Sequence, residues 1–172
     1  GQGAPLVPIG DELLFNKYNY CLNLGGIANI SFLEKGNRIG GDITFANMAS
    51  NFLVAKLGYN YDNNGNIASS GKVNHELLTQ LNSNAFFQKE MPKSLAREDF
   101  ENWFLPIFNA NKKTNIPDQL ATLGLHVAES ISNTIKKNKS DVLITGGGTY
   151  NKYWINLLKK NYAIECIIPQ NN

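Results

Sequence analysis

Two rhythms divide the chain. From Tyr18 to Leu33 apolar residues crowd at strand density around a break at Gly25-Gly26, and residues 38–43 form a further short run after the Lys35-Gly36-Asn37 turn. That pattern predicts a β-hairpin followed by a third strand, an antiparallel meander. The glycine pair predicts a tight two-residue turn of the primed type, with positive φ at Gly25 and Gly26, and a backbone bare enough for a ligand to approach.

After Asn47 the period lengthens. Ala49, Phe52, Leu53 and Leu57 recur in steps of three and four before Gly58, so an amphipathic helix is expected over 46–57. Asn74 is placed to cap a helix carrying Leu77, Leu78 and Leu81. Pro92 breaks the chain, and Ser94 is placed to cap a helix bearing Phe100, Trp103 and Phe104, which Pro106 should end or kink. Pro117 opens the longest helix, whose face of Leu120, Leu123, Val127, Ile131 and Ile135 is expected to lie against a sheet.

Near the end, residues 141–145 read as a buried strand running into Gly146-Gly147-Gly148, then a helix marked by Trp154, Leu157 and Leu158, then a strand over 163–168. This is a βαβ unit with parallel strands and a right-handed crossover. Its triple glycine falls at the carboxyl end of a strand, where open α/β sheets place their ligands. The opening residues, with Pro5 and Pro8, are expected to be irregular.

Composition narrows the function classes. With 172 residues, 42% of them apolar, the chain can bury one core and reads as a single domain. A formal charge of +2 with scattered lysines gives no nucleic-acid footprint. No apolar run approaches membrane-helix length and Gly1-Gln2-Gly3-Ala4-Pro5 is no signal peptide, so neither nucleic acid nor membrane is expected as a partner and the location expected is cytoplasmic. The start without methionine and the end just after a strand suggest an excised piece of a longer protein.

Cys21 and Cys166 stand alone, without the spacing of a zinc site or a disulfide framework, and read as buried reduced thiols. Residues 60–65 imitate the start of a calcium loop, but the twelfth position is Gly71 where a bidentate carboxylate is needed. No metal site is expected. His75 and His126 read as surface or packing residues.

The two glycine bends, about 120 residues apart, suit one division of labour. Amides at the hairpin bend can face phosphates while the later glycines let a nucleoside lie flat. That arrangement resembles the second domain of the actin, hexokinase and Hsp70 superfamily, which implies an α/β ribonuclease H-like lobe whose mixed sheet joins an antiparallel meander to parallel βαβ strands. Five ordered blocks narrow the resemblance: Gly1-Gln2-Gly3-Ala4-Pro5-Leu6-Val7-Pro8, residues 24–30, residues 61–74, Pro92-Lys93-Ser94 with Arg97-Glu98, and Thr145-Gly146-Gly147-Gly148. Together they resemble anhydro-N-acetylmuramic acid kinases over nearly the whole chain.

The resemblance implies a cell-wall recycling enzyme that opens the 1,6-anhydro ring with water and phosphorylates O6 from ATP with Mg2+. It implies nucleotide contacts at Gly25, Gly26, Asn29, Gly146, Gly147 and Gly148, with Asn23, Asp42, Asn47, Lys93 and Arg97 toward the cleft or the substrate. Where the family has Asp-Thr-Gly-Pro-Gly-Asn, residues 42–47 keep only Asp42 and Asn47; Thr44 aligns loosely. Lys93-Ser94-Leu95-Ala96-Arg97-Glu98 likewise departs from Lys-Ser-Thr-Gly-Arg-Glu, and Arg97 and Glu98 could instead form a surface pair. No catalytic residue is expected within the chain, because the family's base and first phosphate loop precede Gly1. The implied partners are the nucleotide, the amino sugar, the missing N-terminal lobe of the same protein and a second copy in a homodimer. By itself the chain is expected to be inactive. A sugar-sensing or regulatory member of the same superfold is the alternative.

Overall fold

The computed structural model describes residues 18–135 and 141–169. The expectation for the opening segment lies outside them. Strands β1 (Tyr20–Leu24), β2 (Ile27–Glu34) and β3 (Asn37–Phe45) form the predicted meander. Helices α1 (Asn47–Ala55), α2 (Asn66–Ser70) and α3 (His75–Asn82) follow. Next come α4 (Arg97–Asp99), α5 (Leu105–Ala110) and the long α6 (Ile116–Thr134). The chain then makes β4 (Asp141–Thr145), α7 (Lys152–Tyr162) and β5 (Glu165–Ile167).

The five strands form one mixed sheet in the order β3-β2-β1-β4-β5. β1 pairs antiparallel with β2 and parallel with β4, so it joins the meander to the βαβ unit. Alternation fixes the register. Tyr20, Leu22 and Leu24 oppose Phe32, Ile30 and Ala28, and all six are buried in the core that also holds Leu123, Val127 and Ile131. A slip of one residue would turn this whole apolar row toward the other face, so burial specifies the pairing.

Asn74 caps α3 as expected, its Oδ1 accepting from the Leu77 amide at 3.0 Å. Two helical expectations change. The third predicted helix starts at Arg97, because the Asp99 carboxylate reaches back to the Ala96 amide at 2.8 Å and Ser94 lies outside it. Pro106 does not end that helix. The chain passes through a π turn over Phe100–Phe104 into α5, whose first turn accepts a proline that has no amide to offer. α6 packs on the sheet as expected, its Leu123, Val127 and Ile131 sharing one core with the strand residues, and helices enclose it as well. It touches α1, α2, α3, α7 and β3, and buried residues occupy most of its circumference, from Gln119 and Leu120 to His126 and Ile131.

Cys21 is buried and unbridged as expected; Cys166 is unbridged but only half-buried. Burial pushes the Cys166 thiol up, and nearby Lys159 opposes this.

Candidate functional site

Both glycine bends emerge at one end of the sheet, from the interior strands β1 and β4. Asn23 on β1 opposes Thr145 on the parallel β4, so Gly25-Gly26 and Gly146-Gly147-Gly148 leave adjacent strand ends side by side. Gly146 has φ +84°, and a Cβ there would run into the Asn23 side chain. A Cβ on Gly148 would lie 2.6 Å from Leu24 Cβ. Gly147 differs from both: its φ is not left-handed, and the nearest atom to an added Cβ would be Asn47 Nδ2 at 3.6 Å. The fold itself therefore requires glycine at 146 and 148 but leaves open space at 147.

The hairpin bend is not the primed two-residue turn. Leu24 pairs with Ala28, which leaves three residues between the last partners, and neither Gly25 nor Gly26 has positive φ. Its shape comes from α1. The Gly26 carbonyl accepts from Ala46 and Met48 amides at 2.9 and 3.1 Å, and the Gly25 carbonyl accepts from Asn47 at 3.1 Å. With the carbonyls turned toward the helix start, the Gly25 and Gly26 amides have no acceptor among the described residues. Asn47 also holds this bend through its side chain, Nδ2 donating to the Leu24 carbonyl at 3.0 Å.

A polar row crosses the sheet beneath the bends. Asp42 on β3 opposes Asn29 on β2, which opposes Asn23 on β1, which opposes Thr145 on β4. Directly opposed residues share a face, so four strands present one line of hydrogen-bonding groups. Asn29 Oδ1 is buried without a hydrogen-bond partner among the described residues. An unpaired buried amide oxygen costs on the order of 1–3 kcal/mol.

Beside Gly147 opens a cavity of about 440 Å³ walled by Asn47, Asn51, Tyr61, Asn63, Tyr150 and Asn151, among others. Its walls are braced to each other. Asp62 accepts from the Ile67 and Ala68 amides at 2.8 and 2.9 Å, fixing the 3₁₀ turn Asn63–Gly65 ahead of α2. The stretch that imitates a calcium loop is thus a short polar turn, with its one carboxylate committed to backbone. Gly65 lies so close to Asn151 and Tyr153 that a Cβ would collide with both, and Asn151 Oδ1 accepts from Trp154 at 3.2 Å to cap α7.

Three candidates remain: Asp42, the member of the polar row on β3, with Lys93 and Arg97. Asp42 is buried, and its Oδ2 accepts from the Leu95 amide at 2.8 Å while its own amide donates to the Lys93 carbonyl at 2.8 Å. It therefore ties residues 93–95 along the edge of β3. Burial raises its pKa above the ordinary carboxylate value, and the Leu95 amide opposes that. Lys93 lines a second cavity of about 580 Å³ with Lys89 and Asn82, which shares no lining residue with the first. Its Nζ donates to the Phe86 carbonyl at 3.2 Å and sits 4.6 Å from that ring's centre. Burial, then the charge of Lys89, lowers its pKa. Arg97 points into solvent, 81% exposed, and pairs with Glu101 at 3.5 Å rather than with Glu98, because positions four apart share a helix face and adjacent ones do not.

Sequence patterns left two groups unseen. The cavity walls Tyr61, Asn63, Tyr150 and Asn151 had one available signal, exposed tyrosines bordering asparagine-rich turns. His126 is neither a surface residue nor simple packing: it joins Thr44, Asn82 and Glu129 in a buried hydrogen-bonded chain. Asn82 Nδ2 donates to Glu129 at 2.8 Å, so its Oδ1 faces His126 as an acceptor. His126 Nδ1 then carries the proton and Nε2 accepts from the Thr44 hydroxyl at 2.7 Å. Burial lowers its pKa to about 3 and holds the ring neutral.

A family model described as anhydro-N-acetylmuramic acid kinase matches residues 1–167. Proteins of that name are similar along almost the whole chain. The one from Zymomonas mobilis is 36% identical over 92% of this chain and 44% of its own length. Those from Gamma-proteobacterium EBAC31A08 and Aliivibrio fischeri are 39% and 37% identical over 99% of this chain, and 49% and 50% of theirs. The chain thus spans about half the length of the curated relatives it matches. Among solved structures, the activator of the 2-hydroxyisocaproyl-CoA dehydratase from Clostridium difficile, with bound ADPNP, superposes with TM-score 0.53 at 15% identity. That alignment covers 94% of this chain and 57% of the other. Component A of the (R)-2-hydroxyglutaryl-CoA dehydratase of Acidaminococcus fermentans gives TM-score 0.52 at 13% identity, over 94% and 59%.

Proposed function

The chain belongs to the anhydro-N-acetylmuramic acid kinase family, and from that premise we propose that it is the nucleotide-binding lobe of a two-lobed sugar kinase. The whole enzyme would open the 1,6-anhydro bridge of anhydro-N-acetylmuramic acid with water and transfer the γ-phosphoryl group of ATP to O6. The observation that carries this reading is the convergence of the two glycine bends on adjacent parallel strand ends, with open space at Gly147 and unengaged amides at Gly25 and Gly26.

Phosphoryl transfer rests on positioning and on stabilising charge. Amides at Gly25 and Gly26 would donate to phosphate oxygens, and Asn23 and Asn29 would hold phosphate or water from the polar row below. Gly146 to Gly148 would let the nucleoside lie against bare backbone. Magnesium, which carries nucleotide phosphates and neutralises charge on the transferred group, belongs to this proposal for the full-length protein. Lys93 and Arg97 have no part in the nucleotide contacts proposed here.

A site closed between two lobes works only when both are present, so the 172 residues alone are proposed to bind nucleotide without turnover. The decisive experiment is a coupled ADP-release assay on the full-length protein with ATP and the anhydro sugar, the product checked by mass for ring opening and one phosphate. Turnover is expected; a folded, ADP-binding protein that releases no ADP with this sugar would overturn the kinase reading.

A further inference from the structure

The larger cavity, of about 580 Å³, stands apart from the proposed nucleotide site, and we infer that it binds a small organic phosphate monoester, the phosphate held by the ammonium groups of Lys89 and Lys93. The volume falls within the range of small-molecule sites, about 300–1,000 Å³. Glu34 and Lys35, at the β2–β3 turn, form one wall. β2 begins beside the glycine bend and ends here, so this wall lies at the other end of the strand from Gly25 and Gly26. Lys35, Lys89 and Lys93 outnumber the carboxylates on the lining, those of Glu34 and Glu90. Among the described residues neither Lys89 nor Lys93 is ion-paired. The charge of Lys89 adds to burial in lowering the Lys93 pKa, so the two ammonium groups repel each other at this wall. An anion bound between them relieves that repulsion.

Lys93 is held in place before any ligand arrives. Its Nζ donates to the Phe86 carbonyl at 3.2 Å, which leaves the other N–H donors of the ammonium for a ligand. Its backbone is pinned to β3: the Lys93 carbonyl accepts from the Asp42 amide at 2.8 Å, and a Cβ on Gly41 would lie 2.5 Å from that oxygen. A phosphate monoester carries a charge of about −1.5 to −2 at pH 7, enough to face both ammonium groups, where a monocarboxylate brings a single charge. Lysine binds phosphate as a point charge with rotatable donors. The rest of the lining suits an organic body. Phe32, Ile43, Phe87 and Met91 supply apolar surface that free phosphate would not use. Thr134, in the last turn of α6, donates its hydroxyl to the Ser130 carbonyl at 3.0 Å, so its oxygen is left to accept from a ligand hydroxyl.

The test is titration calorimetry on the full-length protein with glucose 6-phosphate, glycerol 3-phosphate, inorganic phosphate and succinate, repeated for Lys89→Gln and Lys93→Gln, with melting temperature and ADP affinity as controls. At least one ester is expected to bind saturably and more tightly than inorganic phosphate. Each glutamine substitution should weaken it roughly tenfold, Lys89→Arg should retain it, and ADP affinity should not change. Lys89 is exposed, so its variants read the site even where Lys93→Gln lowers the melting temperature. Ester binding that survives both glutamine substitutions would place the ester elsewhere and overturn the assignment. Equal affinity for inorganic phosphate, tighter binding of succinate, or no saturable binding of either ester would overturn it too. ADP binding lost in the same variants would merge this cavity with the nucleotide site and end the claim of a separate one. The kinase reading rests on ADP release and stands or falls apart from these results.

Discussion

The Thr44 hydroxyl donates to His126 Nε2 at 2.7 Å across 82 residues of sequence, joining β3 to a fully buried imidazole that burial keeps neutral. Phe87 and Phe104 pack against the same ring, so no water replaces the hydrogen bonds that Thr44 and Asn82 make.

That burial sets a pH dependence of stability. The unfolded histidine takes a proton near its ordinary value of 6.5, while the folded one resists until about 3. Between those limits the unfolded chain binds more protons, so stability falls as pH falls. The contribution from His126 at pH 5 is a loss of about 2 kcal/mol relative to neutral pH. Urea unfolding from pH 7 to 4 should therefore show a shallower slope in His126→Gln than in the parent. Identical slopes would remove His126 as the cause.

The three adjacent glycines should separate by role. Gly146→Ala strains a left-handed backbone and collides with Asn23, and Gly148→Ala overpacks Leu24, so each should cost about 1–3 kcal/mol in denaturant unfolding. Gly147→Ala meets only an ordinary contact at 3.6 Å and should leave stability unchanged while weakening ADP. If Gly147→Ala binds ADP normally, the nucleoside does not pass over that backbone.

Asp42 is expected to act through the Leu95 amide. Asp42→Ala leaves that buried donor without its acceptor and should cost about 1–3 kcal/mol. Asp42→Asn keeps an acceptor and buries no charge. Because burial raises the folded pKa, the aspartate's contribution is greatest below the unfolded value near 3.8 and declines as pH rises through the folded one. At pH 7 the asparagine variant should thus be at least as stable as the parent. A large loss in both variants by chemical denaturation would show that the charge itself is needed.

Arg97→Ala removes an exposed pair with Glu101 and should shift stability by no more than about 0.5 kcal/mol. ADP affinity should not change. A loss of ADP binding without a loss of stability would add Arg97 to the nucleotide contacts, beyond the cleft or substrate role expected of it.

Local patterns in the sequence determined much of this fold. Period-two runs around Gly25-Gly26 specified β1 and β2, Asn74 and Pro117 marked helix starts, and the 141–168 stretch declared a βαβ unit, because each signal lies within a few residues of what it shapes. The ordered motifs also pointed to the family that the comparisons establish. Contacts between distant segments were left to the tertiary structure. The bend at Gly25-Gly26 takes its form from amides at 46–48, Asp42 finds its partner at Leu95, Thr44 finds His126, and α6 is enclosed by helices as well as by the sheet. The walls Tyr61 and Tyr150 meet around one cavity only because the Asn63–Gly65 turn docks against Asn151. Hydrogen bonds and close packing act over a few ångströms in space whatever the separation along the chain, so partners distant in the chain leave no periodic trace in the sequence.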